Sequence, residues 1–457
     1  MLTVILAASG FVSAQTVSTW TTRGDRSALL KAGPGLVMEP VSADTGKPEI
    51  TVDPEKTFQK MDGFGFALTG GSAQHLMRMQ ASARHRLLES LFAPDPRGLG
   101  ISYLRVSIGS SDLNDHTFSY DDLPEGETDT ALKAFNLAED TADVIPVLKE
   151  ILAISPSIQI LASPWSAPVW MKTNHAIQGG HLQTQYYPVY ARYFVRYLRA
   201  MQHQGIHINA VTVQNEPFND GNTPSMQFFA KEELAFVKDD LGPAFYHEGI
   251  QTKILIYDHN CDAPEYPISI LTDPDARKYI DGSAFHLYAG DISAMTEVHD
   301  AFPKKHLYFT EYMIVNFTDS FAGIAAKVSR ILIGATRNWS RNVILWNLAA
   351  DAHFEPHTSH GGCTMCQGAV TVEGDSIVRN EALYAMAHFS RFVPSGSVRV
   401  ASTETTSLHD VAFRTPTGET VLIVANPGKT AIAFRVRMKE KSFPATLAPD
   451  AVVTYRW

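Results

Sequence analysis

Eight short apolar segments recur along the middle of the chain, and this repetition limits the possible folds more than any other feature of the sequence. The stretches between them place apolar residues at three- and four-residue spacing, which is typical of amphipathic helices. The eight segments are Phe64–Thr69, Ile101–Ile108, Ile158–Ser163, Ala210–Asn215, Lys253–Tyr257, Ser283–Tyr288, His306–Thr310 and Asn342–Trp346. Because parallel strands need crossover connections, this alternation predicts an α/β chain that forms a (β/α)8 TIM barrel.

A doubly wound nucleotide-binding sheet is the main alternative to the barrel. Four glycines cluster around the first segment, as they would in a phosphate-binding turn, at positions Gly63, Gly65, Gly70 and Gly71. No GxGxxG pattern that opens a helix can be written there, so the cluster gives little support to a nucleotide site. The sequence therefore favours the barrel and predicts no cofactor.

The two ends of the chain differ from the middle. From about Ser390 onwards, short alternating stretches separated by turn residues predict an antiparallel β module. The segment 15–60 lacks helical periodicity and contains the strand-like Glu49–Asp53, so we expect it to pair with the tail. The predicted division is an N-terminal sandwich segment at 15–60, a barrel at 61–388 and a C-terminal β-sandwich at 389–457.

Residues 1–14 predict export of the protein. They form a short apolar run that ends in small residues, with Val12 and Ala14 where a signal peptidase prefers them, although the usual positive start is missing. We expect a signal peptide and a secreted or periplasmic protein. No later run of about 18 apolar residues occurs, so no transmembrane segment is expected.

Net charge and metal-ligand spacing exclude some partners. A formal net charge of −10, without a clustered Lys/Arg face, argues against nucleic acid. Cys363 and Cys366 have CxxC spacing between glycines, which favours a structural pair or local disulfide over a metal or redox site. A nearby group of His353, Glu355, His357 and His360 is interrupted by proline and glycine, so no metal site is predicted.

Polar and aromatic residues collect where the predicted strands end. These positions are Arg105, Asp112, Trp165, Asn215, Glu216, His286, Tyr288, Glu311, Trp346 and Asn347. In a (β/α)8 barrel the carboxyl ends of the strands meet at one face, where active sites lie. The sequence therefore predicts a functional site built from these ends.

Two glutamates at the ends of the fourth and seventh segments, Glu216 and Glu311, are 311 − 216 = 95 positions apart, yet a closed barrel can bring them face to face. Paired carboxylates suit glycoside hydrolysis, because one must donate a proton and the other must be ionised. Taken singly, Glu216 could instead begin a helix and Glu311 could form a rim salt bridge. Likewise, Arg105 could be an interior ion-pair partner, and Trp346 could be ordinary core.

The ordered motifs of the chain resemble glycoside hydrolase family 30, the family that contains the glucosylceramidases. The motifs are QKMDGFGFALTGGSA, LRVSIGSSD, ASPWSAPVWMK, VQNEP, HLYAG, FTEY and LWNLAAD, from about Phe58 onwards. The resemblance implies a barrel with a β-sandwich side domain, β-glycoside substrates and retention of anomeric configuration. It implies that Glu216 is the general acid/base and Glu311 the nucleophile.

The resemblance also implies roles for the surrounding residues. Asp112 would contact sugar hydroxyls, Trp165 would wall the same subsite and Asn215 would bind the 2-hydroxyl. Trp346 would form an aromatic floor. Apart from the resemblance, the position of His286 at a strand end allows it to orient a carboxylate, to line the pocket or to be an ordinary histidine with its hydrogen bonds satisfied, and Asn347 would support the site. Arg105 and Tyr288 would keep Glu311 ionised, while Glu216 would have a raised pKa.

The expected function is a secreted, cofactor-independent retaining hydrolase of a β-linked glucoside, either an endo-β-1,6-glucanase or a glucosylceramidase-like enzyme. The alternatives are a β-glycosidase of xylosidase, fucosidase or galactanase type and a glycan-binding barrel without turnover. We expect the loop Ala352–Ala369 to decide the substrate. Its glycines and cysteines resemble those of the microbial polysaccharide-acting branch of the family.

Overall fold

The computed structural model describes residues 15–41, 46–315 and 321–457, and its central element is a closed barrel of eight parallel strands. In chain order the strands are Gly63–Ala67, Tyr103–Ile108, Gln159–Pro164, Ala210–Thr212, Lys253–Cys261, Ile280–Gly290, His306–Glu311 and Ser340–Asn347. We call them barrel strands 1 to 8. Strand 8 pairs with strand 1 and closes the ring, so the predicted barrel is confirmed. The predicted signal peptide at 1–14 lies outside the described residues.

Helices follow the barrel strands and cover the barrel. They span Gly70–Arg78, Ala81–Phe92, Val144–Ile154, Tyr187–His203, Ala230–Phe236, Gly242–His247, Glu265–Thr272, Pro274–Arg277, Ala294–Ala301, Ile324–Val328, Gly334–Arg337 and Glu381–Ser390. The helix predicted at Ala322–Ile333 is present as a helical segment that begins at Ile324, includes a π-helical turn at Ser329–Ile333 and continues through Gly334–Arg337. No helix in the described part of the chain is long and apolar enough to cross a membrane.

The barrel interior changes from apolar to polar along the strands. The apolar layer consists of Tyr103, Leu161, Ala210, Leu255, Ala284, Tyr308 and Ile344. Residues two positions apart on a strand face the same side, so the next interior layer can be read from the sequence. On four of these strands it consists of Arg105, Ser163, Thr212 and Thr310, all buried. A polar layer therefore lies on the apolar one towards the carboxyl ends of the strands.

The glycine cluster of barrel strand 1 serves close packing. A Cβ atom on Gly65 would lie 1.8 Å from the carbonyl oxygen of Tyr103 on the neighbouring strand. A Cβ atom on Gly71 would lie 2.8 Å from the carbonyl oxygen of Leu113. Since no side chain fits at either position, the glycines are explained without a nucleotide.

A second module is a mostly antiparallel sheet with its own apolar core. Its longer strands are Thr16–Arg23, Glu49–Lys60, Val398–Ser402, His409–Arg414, Thr420–Asn426, Ile432–Met438, Lys441–Leu447 and Ala451–Arg456. Short strands at Lys31–Ala32, Leu36–Val37 and Glu39–Pro40 border it, and a separate small sheet joins Ala349–Ala350, Val370–Glu373 and Ser376–Arg379. The strand Lys441–Leu447 was not predicted, because it contains Pro444, which disfavours a strand except near a sheet edge.

His388 joins the two modules. It lies on the helix Glu381–Ser390 and is fully buried, with Nδ1 2.8 Å from the hydroxyl of Thr454 and Nε2 2.9 Å from that of Thr22. Burial lowers the pKa of His388 to about 3, because no acidic group compensates its charged form. The imidazole is therefore neutral in the folded protein and acts as a hydrogen-bond bridge.

We expect this buried imidazole to make the protein acid-sensitive. The pKa of His388 is lower in the folded protein than in the unfolded chain, where it is about 6.5. The contribution of the neutral imidazole to the free energy of unfolding is therefore complete above about pH 6.5 and decreases as the pH falls below that value. At pH 5 the wild type should have lost about 2 kcal/mol of unfolding free energy that His388→Gln does not lose. Urea unfolding at pH 7 and pH 5 measures the difference.

The exposed His247 provides the control for this experiment. His247→Gln should keep the wild-type loss of stability between pH 7 and pH 5. Equal pH dependence in the wild type and His388→Gln would contradict the role given to His388.

Candidate active site

A cavity of about 420 Å³ opens at the carboxyl ends of the barrel strands. It is lined by Asp112, Glu216, Phe218, Asn219, Asn222, His259, Asn260, Tyr288, Glu311, Met313, Trp346, Cys363 and Cys366. Five of these are residues that the sequence predicted for the site, namely Asp112, Glu216, Tyr288, Glu311 and Trp346. The cavity therefore lies where the pattern of polar strand ends predicted a site.

Glu216 lies in a turn beyond barrel strand 4 and not at the start of a helix. The next helix begins at Ala230, so the alternative of a helix-capping acid is wrong. The backbone of Glu216 has a φ of 47°, a left-handed conformation that is unfavourable for a residue with a Cβ. Its carboxylate accepts hydrogen bonds from Nδ2 of Asn219 at 2.7 Å and lies 3.1 Å from Nδ1 of His286.

Glu311 ends barrel strand 7 and faces Glu216 across the cavity. It is 6% exposed, forms an ion pair with Arg105 and accepts a hydrogen bond from the hydroxyl of Tyr288 at 3.0 Å. One carboxylate oxygen of Glu216, one of Glu311 and a ring nitrogen of His286 all lie within 4.8 Å of one another. The two predicted acids therefore meet, although they are far apart in the sequence.

Arg105 lies in the barrel interior and contacts several polar groups of the site. Its guanidinium is fully buried and contacts Asp258 at 2.7 Å, Oδ1 of Asn215 at 2.8 Å and the hydroxyl of Ser163 at 3.1 Å, in addition to Glu311. Arg105 is thus an interior ion-pair partner, and through the same contacts it also positions Glu311 and Asn215. The interior ion pair that the sequence analysis left open for Arg105 is therefore present, and its partners are Asp258 and Glu311.

Asp258 is the central residue that the sequence analysis missed. Its carboxylate is fully buried, pairs with Arg105, lies 3.1 Å from Nε2 of His286 and accepts hydrogen bonds from Thr212 at 2.7 Å and Thr310 at 2.6 Å. Burial alone would raise the pKa of Asp258, but the Arg105 charge and the His286 hydrogen bond hold it far below the ordinary range. Asp258 is therefore an anion between two cationic groups.

The imidazole of His286 lies between three carboxylates. Burial alone would lower its pKa, but the negative charge of Glu311 and hydrogen bonds with Asp258 and Glu216 raise the pKa of His286 to about 9. The ring is therefore a protonated imidazolium at neutral pH. It is fully buried and does not line the cavity, so it orients the acids from behind.

This imidazolium changes the pKa of Glu216. Burial alone would raise it, but the hydrogen bond and charge of His286, with the contributions of His259 and Asn219, outweigh burial and lower the pKa of Glu216. The raised pKa expected for Glu216 is therefore wrong, because the contact with a charged imidazole is a tertiary contact that strand-end position does not predict.

The pKa of Glu311 shifts in the opposite direction, upward. Burial raises its pKa, and the nearby charges of Glu216 and Asp258 raise it further, whereas those of His286 and Arg105 lower it. The net direction is upward, so the charge of Arg105 does not outweigh burial and the neighbouring acids, and the expectation that Arg105 and Tyr288 keep Glu311 ionised stays a prediction. Both acids have to be treated together with His286 as one coupled group.

Two tryptophans flank the guanidinium of Arg105. The rings of Trp165 and Trp346 stack with centroids 5.5 Å apart, and the Arg105 guanidinium carbon lies 4.8 Å and 5.7 Å from their centroids. Only Trp346 lines the cavity, whereas Trp165 and Asn215 lie behind its surface in the unliganded structure. Trp346 thus presents the aromatic surface, and Trp165 supports it.

A disulfide between Cys363 and Cys366 forms part of the cavity wall. The backbone N–H of Cys363 hydrogen-bonds Asp112, and Nδ2 of Asn347 donates to the carbonyl of Cys366 at 3.1 Å. Burial, with the charges of Glu311 and Glu216, raises the pKa of Asp112 to about 7. The local pair that the sequence favoured therefore exists, and Asn347 supports the loop that carries it.

The remaining lining residues missed by the sequence analysis lie at the ends of three strands. They are Phe218, Asn219 and Asn222 beyond strand 4, His259 and Asn260 within strand 5, and Met313 beyond strand 7. Strand 5 was predicted to end at Tyr257 but continues to Cys261. The polar triplet Asp258-His259-Asn260 directly after that predicted end was the signal that could have identified this side of the cavity.

Comparisons with known protein families match both modules. The family model for the glycosyl hydrolase family 30 TIM-barrel domain matches residues 61–393, and that for the family 30 beta sandwich domain matches residues 396–455. Together they cover the barrel and the C-terminal sheet described above.

Individual proteins give the same result. An endo-1,6-beta-D-glucanase of Aspergillus fumigatus is 32% identical over 433 residues, which cover 89% of this chain and 87% of that protein. The lysosomal acid glucosylceramidase of Mus musculus is 29% identical over 437 residues, covering 89% and 83%. A solved structure of an endo-beta1,6-glucanase has a TM-score of 0.89 and 33% identity, covering 96% of this chain and 99% of that one.

We expect Asp258→Asn to lower the pKa of His286. The substitution keeps the shape of the side chain but removes the negative charge 3.1 Å from Nε2. Loss of an opposite charge at this distance should lower the imidazole pKa by about one unit or more, which NMR titration of the ring can measure. Asp281→Asn, which alters a carboxylate paired with His306, is the control and should leave the pKa of His286 unchanged.

Proposed function

Because the chain belongs to glycoside hydrolase family 30, we propose that it hydrolyses β-glucosidic bonds with retention of anomeric configuration. In this proposal Glu311 is the nucleophile and Glu216 is the general acid/base. The observation that carries the proposal is the pair of buried acids in the cavity, with one oxygen of each within 4.8 Å of the other.

The separation of the acids supports a retaining mechanism over an inverting one. Retaining glycosidases hold the two carboxyl groups about 5–5.5 Å apart, whereas inverting enzymes need about 6.5–9.5 Å to admit a water molecule between acid and sugar. One oxygen of Glu216 lies within 4.8 Å of one oxygen of Glu311, so the two groups are close enough for the retaining arrangement. This proximity also favours an enzyme over a glycan-binding barrel, since binding alone does not need two opposed carboxylates.

In the first step Glu311 attacks the anomeric carbon and the bond to the leaving oxygen breaks. Arg105 and Tyr288 hold the attacking carboxylate in place. Glu216 gives the leaving oxygen a proton, and the adjacent imidazolium of His286, 3.1 Å from Glu216, supplies that proton. The lowered pKa of Glu216 in the unliganded protein is thus compatible with acid catalysis, because the pair shares a proton.

In the second step a water molecule attacks the anomeric carbon of the glycosyl ester. Glu216 now takes a proton from the water and returns it to His286, and Glu311 leaves as a carboxylate. Two displacements on one carbon restore its configuration. The sugar would rest on Trp346, with Asp112 at its hydroxyls and Asn215 at the 2-hydroxyl, as aromatic faces and polar edges suit a pyranose.

We propose a β-1,6-linked glucan as the substrate and the space outside the cytoplasm as the place of action. The fungal endo-1,6-glucanase relatives and the endo-1,6-glucanase structure support the linkage, and the disulfide in the cavity wall supports an oxidising compartment. The pattern of residues 1–14 agrees with export. The similarity to a glucosylceramidase makes glucosylceramide the second candidate.

Substitution of each acid tests the two roles. Glu311→Ala should abolish turnover of an aryl β-glucoside, and Glu216→Ala should lower kcat by about 10²–10⁴-fold. Added azide should partly restore Glu216→Ala and yield a β-glycosyl azide, since the small anion needs no general base. Glu248→Ala, which changes an exposed acid, is the control. An α-configured azide, or rescue of neither variant, would contradict these roles.

A substrate panel tests the linkage. The purified protein should hydrolyse β-1,6-glucan faster than β-1,3-glucan, xylan or glucosylceramide, as measured by released reducing sugar or ceramide. Faster turnover of glucosylceramide would make the lipid the substrate instead. Turnover of the glucan by Glu311→Ala would indicate contamination and invalidate the comparison.

A further inference from the structure

The cavity has a second end that the proposed catalytic roles do not use. Glu216 protonates the leaving oxygen in the proposed mechanism, so the leaving group must lie on the Glu216 side of the cavity. Trp346, Asp112 and the disulfide Cys363–Cys366 line the same cavity. The residues beyond Glu216 should therefore indicate which class of leaving group the enzyme binds.

Phe218 provides an aromatic surface on this side. It comes two residues after Glu216, lines the cavity and keeps 40% of its side chain exposed. Its ring is fixed by His259 and Tyr266, each with centroids 5.4 Å away and nearly perpendicular planes, and by Phe229 at 5.9 Å. None of these rings stacks parallel on Phe218, and a fixed exposed ring is suited to the C–H face of a sugar.

His259 supplies an unused polar group next to that surface. It lines the cavity, is 7% exposed, and its buried Nδ1 has no hydrogen-bond partner among the described residues. Burial lowers the pKa of His259, which favours the neutral ring, and a neutral imidazole can both donate and accept a hydrogen bond. Because His259 lines the cavity, its ring can offer a hydrogen bond to a ligand hydroxyl.

The other groups on this side are polar as well. Asn219 and Asn222 donate to Glu216 at 2.7 Å and 3.5 Å, and Asn260 accepts from the backbone of Tyr288 at 2.8 Å. A lipid chain would need a continuous apolar groove, whereas this end combines one aromatic ring with amides and a neutral imidazole. That combination matches a pyranose, which has an apolar face and a rim of hydroxyls.

We propose that Phe218 and His259 form a binding subsite for the leaving-group sugar, and that this sugar is a hexopyranose unit of an oligosaccharide or polysaccharide. Phe218 packs against the C–H face of the sugar, and His259 hydrogen-bonds one of its hydroxyls. The inference rests on the proposed glycosidase function and adds which class of leaving group the enzyme accepts.

Comparison of two substrates tests the subsite. Gentiobiose, a β-1,6-linked glucose disaccharide, places a sugar in the subsite, whereas β-glucosyl fluoride has a one-atom leaving group that does not reach it. In Phe218→Ala and His259→Ala the ratio of kcat/KM for gentiobiose to that for the fluoride should fall about tenfold. His259→Gln, which keeps a donor and an acceptor, should lose less. Tyr246→Ala removes a 75% exposed ring outside the cavity and should keep the wild-type ratio.

The outcomes distinguish a failure of the proposed subsite from a failure of the proposed glycosidase function. A wild type that hydrolyses neither substrate contradicts the proposed function. A wild type that hydrolyses both, with unchanged ratios in Phe218→Ala and His259→Ala, contradicts the subsite alone. If these variants lose turnover of glucosylceramide but not of gentiobiose, the leaving group is a lipid and the sugar assignment is wrong. Fluoride turnover in each variant shows that the barrel has folded.

Discussion

The buried ion pair of Arg105 with Asp258 and Glu311 is the interaction on which the active site depends. All three groups are removed from water, and each ion would cost several kcal/mol to bury without the others. Arg105 pairs with both acids, and Asp258 also lies 3.1 Å from the imidazolium of His286. Loss of any one member would leave the charge balance of the interior disturbed, so each member stabilises the others.

The barrel provides the geometry for this charge network. Arg105, Thr212 and Thr310 lie two residues beyond apolar interior positions on their strands, so strand periodicity alone places them in one layer. Two acids of the network, Glu216 and Asp258, have an unusual backbone conformation. Glu216 and Asp258 have φ angles of 47° and 52°, and non-glycine residues in that region persist only when their surroundings hold them there. Here the surroundings are the hydrogen bonds and ion pairs of the network.

The sequence predicted the barrel and the meeting of Glu216 with Glu311, because strand alternation and strand-end position are local properties that a closed ring converts into proximity. It did not predict Asp258, since that residue follows an apolar segment that was read as ending one position earlier. It also gave the wrong pKa direction for Glu216, because a pKa depends on which charges come within a few ångströms, here His286. The stacking of Trp165 behind Trp346 is a tertiary contact of the same kind.

The pairing of the strand Thr16–Arg23 with Ala451–Arg456 affects the order of events during synthesis. The partner begins 451 − 23 = 428 positions after the first strand ends, which at translation rates of about 5–20 residues per second is a delay of about 20–90 s. During that interval the edge of Thr16–Arg23 that later pairs with Ala451–Arg456 has no strand beside it. Its sequence, TVSTWTTR, is dominated by threonine and serine, and such a polar strand is less prone to associate with other chains while it waits.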